Sequence, residues 1–286
     1  MSGKMKKPYL WEELSVDEIR GLIKAGCRTV LVPVGVTEQH GYHLSTFTDC
    51  HLAREISVRA AAKSECLMAP LLPYLFSGGL LPGTINVSLE AVTLMLGDIA
   101  DSLYAQGIDN VLFILGHGGS ENFKALQNFQ HLYFHKRPHL ADKLLSVVPT
   151  GEFSKTWMKM FVKNRDYHAG EFETALMMEL APATVRLKKR AIDASEVTEK
   201  MRNDPDYYQL VEKALDHGMV APHVSQKPEI KVGVMGDPFK ANRKLGRKLV
   251  DETVAGLVKF IEQINAREVG KRQEVSLVRQ SIFGDK

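Results

Sequence analysis

The chain is poor in cysteine and contains no long apolar segment. Its 286 residues include three cysteines, Cys27, Cys50 and Cys66, and no two of them have C-x-x-C spacing. A small, odd number of cysteines suits a reducing compartment, because disulfide frameworks use paired cysteines. No uninterrupted apolar run approaches the ~18 residues that a membrane helix needs, and no apolar stretch follows the basic N-terminal residues as in a secretion signal. We therefore expect a cytoplasmic protein that does not span a membrane.

The chain also lacks an excess of charge of one sign. Lysine and arginine total 37, and aspartate and glutamate total 34, which gives a formal net charge of +3. The basic residues are spread along the chain except near Lys188–Arg190 and in the C-terminal third, whereas a nucleic-acid-binding protein usually has a denser basic stripe. Nucleic acid is therefore not an expected partner.

What the chain does contain is a regular alternation of helical and strand patterns. Ser15 and Glu18 form a capping box at the start of an amphipathic helix, which Gly26 ends. Strand patterns lie at 29–35, 66–74, 110–119 and 144–150, and helical patterns lie at 50–64, 88–106, 121–136 and 244–268. This alternation predicts an α/β fold with a mostly parallel sheet that is flanked by helices on both faces.

We expect a single domain over residues 1–286, with one departure from the core. Between about 187 and 231 the composition becomes polar and charged, and a short helical pattern runs from Tyr208 to Leu215. We call this segment the excursion and interpret it as a lid or a subunit contact. The basic residues at the end of the chain are expected to form a tail.

Acidic and histidine side chains follow the first long strand pattern. Glu38 and His40 are two residues apart, so an extended backbone projects them in the same direction. Asp49 comes after a turn and His117 ends a second strand pattern, so both can approach the pair at one edge of the sheet. Side chains of these types bind divalent metal ions. The alternative is a surface hydrogen-bond cluster in which His117 only caps a helix.

A third group of acidic and histidine residues lies further along the chain. His168, Glu171 and Glu173 fall within two turns of a predicted helix start, where they offer a base and a further ligand. Alternatively, both glutamates only complement the helix dipole, because acidic residues are common at helix N-termini. We expect His43 and His51 to have supporting or packing roles.

Five separated motifs, in their order and spacing, resemble the creatininase (creatinine amidohydrolase) family. They are TEQHG, TDCH, PGT, GHGG and HAGEFET, and they cover the chain from Leu31 to Leu180. The resemblance implies a parallel-sheet α/β fold with a two-metal centre at the strand ends, in a homo-oligomer that is often a hexamer. The family includes creatininases, deformylases, peptide-maturation peptidases and a hydrolase of diketo-inositols.

The resemblance also implies a role for each matching residue. Glu38 and His117 correspond to ligands of one ion, and His40 corresponds to a ligand of the other. Asp49 then bridges the two ions, and His168 matches the position of a catalytic histidine.

Two positions depart from creatininase proper. In that enzyme the second ion also receives a glutamate two residues after the strand-end histidine, where this chain has Gly119. We assign the missing carboxylate to Glu173, with Glu171 as the alternative. Ser120 stands where many relatives have asparagine. These departures argue against opening of the creatinine ring as the expected reaction.

Substrate contacts are expected from a loop rich in glycine and proline at residues 76–84. Ser77, Gly78 and Thr84 lie in this loop, whose glycines permit close approach of the backbone, although a purely structural loop is the alternative. Glu171 is the remaining residue that we expect to contact the substrate.

The expected activity is hydrolysis of a small, polar, cyclic substrate by a metal-bridged water. The predicted ligands suit two divalent ions, with zinc expected first and manganese or iron also compatible. His168 would transfer protons. Two different functions stay open. One is a carbon–carbon hydrolase that opens a diketo-inositol-like ring, of the 3-dehydro-scyllo-inosose hydrolase type, and the second is a non-catalytic metal-binding assembly protein.

Overall fold

A five-stranded parallel sheet forms the centre of the protein. The computed structural model describes residues 7–275. The strand order is β1-β3-β2-β4-β5, with bounds Tyr9–Leu10 (β1), Thr29–Val34 (β2), Leu67–Met68 (β3), Asn110–Leu115 (β4) and Leu144–Pro149 (β5). Each of the four strand pairs is parallel, as the alternation of helices and strands predicted.

Helices cover both faces of this sheet. Their bounds are Val16–Lys24 (α1), Thr48–Ser64 (α2), Leu89–Ala105 (α3), Ser120–Leu132 (α4), Lys155–Asn164 (α5), Glu171–Leu180 (α6), Ser195–Asn203 (α7) and Arg243–Asn265 (α8). Side chains alternate along β2, so Leu31 packs with residues of α2, α6 and α8, whereas Val30 and Val32 pack with residues of α3 and α4. The prediction of an α/β fold with helices on both faces is confirmed.

The two central strands end at the same edge of the sheet. In the register of β2 and β4, Val34 pairs with Leu115, so the segments that carry Glu38 and His117 leave the sheet side by side. The N-terminal end of α2 packs directly against both strand ends. A Cβ atom on Gly35 would lie 2.6 Å from the Cα atom of Cys50.

Two predicted elements differ from the structure. The segment from Tyr208 to Leu215 does not form a helix, since residues Gln209–Glu212 form a strand (β6) that pairs antiparallel with His223–Gln226 (β7). Its apolar side chains are largely exposed, so a helix would have no core to pack against, whereas the hairpin pairs the backbone groups. The strand predicted at 66–74 is shortened to Leu67–Met68, because prolines in that segment cannot donate to a ladder.

Three further expectations concern membrane spanning, the C-terminal tail and the number of domains. Among the residues described, none of the helices combines the length and the apolarity that crossing a bilayer requires. Residues 276–286 of the predicted tail lie outside the described residues. The single domain stays a prediction.

The contact between α6 and α8 gives a test of the packing that supports the site. A Cβ atom on Gly246 of α8 would overlap the carbonyl oxygen of Ala175 in α6, which is backbone and cannot rotate away. We expect Gly246→Ala to lower the free energy of unfolding by about 1–3 kcal/mol, as overpacked substitutions do.

The matched control for Gly246→Ala is Gly21→Ala in α1, where no atom outside the adjoining helix backbone lies within 4 Å of the added Cβ. This substitution should raise the free energy of unfolding by up to about 1 kcal/mol, because alanine favours a helix over glycine. Urea unfolding measures both effects. Equal stability of the two variants would contradict the described contact.

Candidate metal centre

Three predicted ligands meet where β2 and β4 end. The Nδ1 atom of His117 lies 3.1 Å from Oε2 of Glu38 and 3.0 Å from Oδ2 of Asp49. Glu38 comes from the loop after β2, His117 follows β4, and Asp49 lies in the first turn of α2. Ligand atoms of these three residues are close enough together to hold one metal ion.

A second group lies on the other side of Asp49. The Nε2 atom of His40 lies 3.2 Å from Oδ1 of Asp49 and 3.6 Å from Oε2 of Glu173 in α6. The three ligand atoms again lie close enough together to hold an ion. Asp49 therefore offers one carboxylate oxygen to each group.

The charges and the burial of this cluster fit divalent metal ions. Asp49, Glu38 and Glu173 are 1%, 8% and 7% exposed, and within residues 7–275 their described ion-pair partners are histidines rather than lysine or arginine. Oε2 of Glu38 and Nε2 of His40 are buried without a hydrogen bond. Burying three carboxylates is costly unless cations compensate them, so the donor set suits bound metal.

The hydrogen bond of the His40 ring also suits metal binding. Its Nδ1 atom lies 3.0 Å from the backbone carbonyl oxygen of Glu38. An Nδ1–H that donates to this oxygen leaves the Nε2 lone pair directed at the carboxylates of Asp49 and Glu173. Metal-binding histidines are commonly oriented by a hydrogen bond of this type on the other ring nitrogen.

The metal-free cluster holds protons that a metal must displace. Burial opposes charge on His40, but the carboxylates, Asp49 foremost, raise its pKa to about 10. Burial raises the pKa of Glu173 to about 8, with the charge of Asp49 adding to the effect and His40 opposing it. Burial also opposes ionisation of Asp49, yet the neighbouring histidines hold its pKa well below the usual value.

His168 lies beside this cluster in a different state. Its ring centroid is 4.3 Å from that of His40, and its Nε2 atom lies 2.8 Å from the carbonyl oxygen of Gln39. Burial, together with the charge on His40, lowers the pKa of His168 to about 4. The ring is therefore neutral near pH 7. When Nε2–H donates to Gln39, Nδ1 is free to accept a proton.

The loop at 76–84 supports the cluster. The Ser77 hydroxyl donates to Oε1 of Glu38 at 2.6 Å, and the Thr84 hydroxyl accepts a hydrogen bond from the backbone N–H of Gln39 at 3.1 Å. Gly78 has φ +88° and lies against the hydroxyl of Tyr208. Ser77 and Thr84 thus orient the segment that carries Glu38, while their predicted substrate contacts stay predictions.

The structure separates the two glutamates of α6. Glu173 faces the cluster, whereas Glu171 lines a different cavity together with Asp237 and Lys240. The structure thus does not bring Glu171, predicted as a substrate contact, to the site. Residues that are two positions apart in a helix differ by about 200° around its axis, so the side chains of Glu171 and Glu173 point in different directions.

Residue 119, which is glycine here, lies against the His117 ring. A Cβ atom on Gly119 would lie 2.6 Å from Nε2 of His117 and 3.1 Å from Nδ2 of Asn122. No side chain fits in this position without moving the histidine. The assignment of the missing carboxylate to Glu173 is supported instead by the contact of Glu173 with His40.

The two remaining histidines of the first motif region do not join the cluster. His43 is fully buried, and its Nε2 atom lies 2.8 Å from the hydroxyl of Thr174, the residue that follows Glu173 in α6. His51 lies on α2 with its ring edge against Phe47.

A cavity of about 320 Å³ opens from the cluster. Its polar end includes Glu38, His117, His168 and Glu173, and its walls include Leu115, Phe123, Trp157, Met158, Phe161 and Phe172. The excursion closes one side with Pro205, Asp206, Tyr208, Gln226 and Ile230. Sequence reasoning missed Gln39, although it lies within TEQHG, and the wall residues, for which no motif provides a signal.

Comparison with known proteins gives consistent matches. The family model Creatininase, described as creatinine amidohydrolase, matches residues 12–261. The mycofactocin precursor peptide peptidase of Mycobacterium tuberculosis is 29% identical over 253 residues, covering 82% of this chain and 86% of the relative. The creatinine amidohydrolase of Pseudomonas putida is 28% identical over 221 residues, covering 68% and 80%.

Solved structures show the same fold. A crystal structure of creatinine amidohydrolase (creatininase) matches with a TM-score of 0.73 and 22% identity, covering 92% of this chain and all of the other. The similar structures include a creatininase described as "Mn" and a creatininase variant described as "Zn-Zn type".

Metal binding should release protons from the cluster. The raised pKa values of His40 and Glu173, about 10 and about 8, mean that both hold a proton at pH 7 without metal. Ligands bind metal in their deprotonated form, so we expect proton release on binding and affinity that rises with pH. Calorimetric titration of chelator-treated protein with zinc, in buffers of different ionisation enthalpy, measures the release. A heat that is independent of the buffer would contradict this description.

The ligand role of Glu173 can be tested against its neighbour. We expect Glu173→Gln to lower the metal content of the purified protein by about one ion per chain, because an amide replaces a buried anionic ligand. Glu171→Gln is the matched control and should keep the wild-type content. Elemental analysis of both variants measures this. A loss in Glu171→Gln alone would exchange the two assignments.

Proposed function

The chain belongs to the creatininase family of hydrolases, and from this premise we propose that it hydrolyses an amide bond of a small polar substrate with the help of two divalent metal ions. The observation that carries the proposal is the Asp49 carboxylate, whose two oxygens face two different ligand groups, while Glu38, His40 and His168 form a third possible group between them. A shared carboxylate is suited to hold two ions close together.

Each ion would have its own set of ligands. Glu38, His117 and one oxygen of Asp49 would hold the first ion, and His40, Glu173 and the other oxygen would hold the second. Zinc is the expected metal for nitrogen and carboxylate ligands, and manganese or iron also suits them. The zinc and manganese forms among similar creatininases support the same choice.

His168 would carry the protons of the reaction. Bound divalent ions supply Lewis acidity, which polarises a carbonyl and makes water more acidic. The neutral His168 ring accepts the proton of the attacking water through Nδ1, while Gln39 holds its Nε2–H. The protonated ring then gives this proton to the leaving nitrogen. Ser77 and Thr84 keep the Glu38 segment in position throughout.

The cavity and the relatives favour cleavage of a carbon–nitrogen bond. A space of about 320 Å³ accepts a small cyclic amide at the polar end. The names of the two relatives, a creatinine amidohydrolase and a peptide peptidase, both describe amide cleavage. The apolar wall and the wider coverage by the peptidase relatives favour the end of a short peptide as a second candidate substrate.

Carbon–carbon bond hydrolysis and a non-catalytic role have less support. The relative named 3-dehydro-scyllo-inosose hydrolase, from Thermotoga maritima, matches over only 121 residues, covering 40% of this chain. A carbon–carbon hydrolase would use the same residues, but its product would contain a new acid group without release of nitrogen. Membership of a hydrolase family favours an enzyme over a non-catalytic assembly protein. Assembly into a homo-oligomer such as a hexamer and a cytoplasmic location stay predictions.

The proton role of His168 gives the functional test. On an amide that the wild type cleaves, we expect His168→Gln to lower kcat by about 10²–10⁴-fold, the usual contribution of a general base, with unchanged metal content. His139→Gln is the control, because this histidine is exposed and does not line the cavity. The assay follows released amine, ammonia or formate. Full activity of His168→Gln would exclude the proton role, and cleavage without nitrogen release would favour the carbon–carbon hydrolase.

A further inference from the structure

Hydrogen-bond contacts connect the excursion to the protein on two sides of the cavity. On one side, the side-chain amide of Gln209 donates to Oε1 of Glu121 at 3.1 Å, and the Ser120 hydroxyl oxygen lies 3.1 Å from Oδ1 of Asp206 and 2.8 Å from Oε2 of Glu121. On the other side, the backbone N–H of Leu80 donates to Oε1 of Gln226 at 3.2 Å. These bonds connect the excursion to the segment after His117 and to the loop at 76–84. Asp206, Gln209 and Gln226 of the excursion therefore lie against the segments that border the cavity.

Tyr208 is a residue of the excursion that lines the cavity and has a hydroxyl proton without a described acceptor. Its hydroxyl oxygen accepts a hydrogen bond from the Gln209 amide at 2.9 Å. Across residues 7–275 no acceptor is found for the hydroxyl proton, and the ring lines the cavity. Burial raises the pKa of this phenol well above its usual value, so it keeps its proton as a donor.

Gly78 provides the space that this hydroxyl occupies. A Cβ atom on Gly78 would lie 2.5 Å from the Tyr208 hydroxyl oxygen, and the φ of +88° also favours glycine. The preceding residue, Ser77, donates to Glu38. The phenol hydroxyl therefore lies beside Gly78, the next residue in the chain after the serine that donates to a predicted metal ligand.

We propose that Tyr208 is a substrate-contacting residue, whose hydroxyl donates a hydrogen bond to the carbonyl oxygen of the amide under attack. The proposal rests on the proposed function, because it assigns this contact to an amide in the same cavity. The half-buried hydroxyl lies at the cavity wall with its proton unused by the described residues, so a substrate oxygen in the cavity can accept it. The excursion thus contributes a binding group to the site as well as covering it.

The neighbouring tyrosine provides a matched comparison. Tyr207 directs its hydroxyl to Glu229 at 3.3 Å, and Nζ of Lys227 lies 3.3 Å from its ring centroid. Tyr207 does not line the cavity. Loss of the hydroxyl at 207 should therefore change neither substrate binding nor turnover.

The first part of the experiment tests the geometry without any substrate. Gly78→Ala is introduced into the wild type and into Tyr208→Phe, and urea unfolding is measured for the four proteins. Because the clashing atom is the hydroxyl oxygen, the loss of stability from Gly78→Ala should be smaller in the Tyr208→Phe background. Equal losses in both backgrounds would overturn the contact between Gly78 and Tyr208.

The second part uses benzohydroxamic acid, a carbonyl compound that binds metal, as the probe of the zinc-loaded protein. Calorimetry should give a dissociation constant about 3- to 10-fold larger for Tyr208→Phe, the loss expected for one neutral hydrogen bond. Tyr207→Phe should bind as the wild type does. An unchanged constant in Tyr208→Phe, or an equal loss in both variants, would overturn the proposal.

The third part measures turnover of an amide that the wild type cleaves. Tyr208→Phe should lower kcat more than it changes KM, because an oxygen that gains charge accepts a stronger hydrogen bond in the transition state. Metal content should stay at the wild-type level. If the wild type cleaves no amide, the proposed function fails, while the binding of benzohydroxamic acid still decides the role of Tyr208.

Discussion

The carboxylate of Asp49 is the group on which the site depends. One of its oxygens faces His117 and the other faces His40, so this side chain connects two strand ends with the two ligand groups. Its position follows from the fold. A Cβ atom on Gly116 would overlap the Asp49 carbonyl oxygen, so the glycine at the end of β4 allows the first turn of α2 to reach the sheet edge. Close packing of backbone against backbone thus sets the geometry of the cluster.

Electrostatics then sets the state of the cluster. Three carboxylates are buried together with two histidines, and the raised pKa values of His40 and Glu173 show that the site retains protons when no metal compensates the charge. The pKa of the nearby His168 is lowered instead, so this ring stays neutral. His40 and His168 are the same type of residue, but their surroundings shift their pKa values in opposite directions. The surroundings therefore decide which histidine is suited to bind metal and which to carry a proton.

The sequence predicts the parts of this arrangement that depend on local patterns. Alternating elements give the parallel sheet, and motifs at strand ends identify Glu38, His40, Asp49 and His117 as residues that meet. It does not decide between Glu171 and Glu173, because that choice depends on the rotation of α6 against α8. The position of Tyr208 cannot be predicted either, since it depends on a hairpin whose apolar residues mimic a helical pattern and on contacts with Ser120 and Glu121 far away in the chain.

The most direct test of two ions that share Asp49 is anomalous diffraction from crystals of the zinc-loaded protein, recorded on both sides of the zinc absorption edge. The account predicts two anomalous peaks per chain, each in contact with a different oxygen of Asp49, one beside His117 and the other beside His40. A single peak in contact with Asp49, or peaks that contact none of its oxygens, would contradict it.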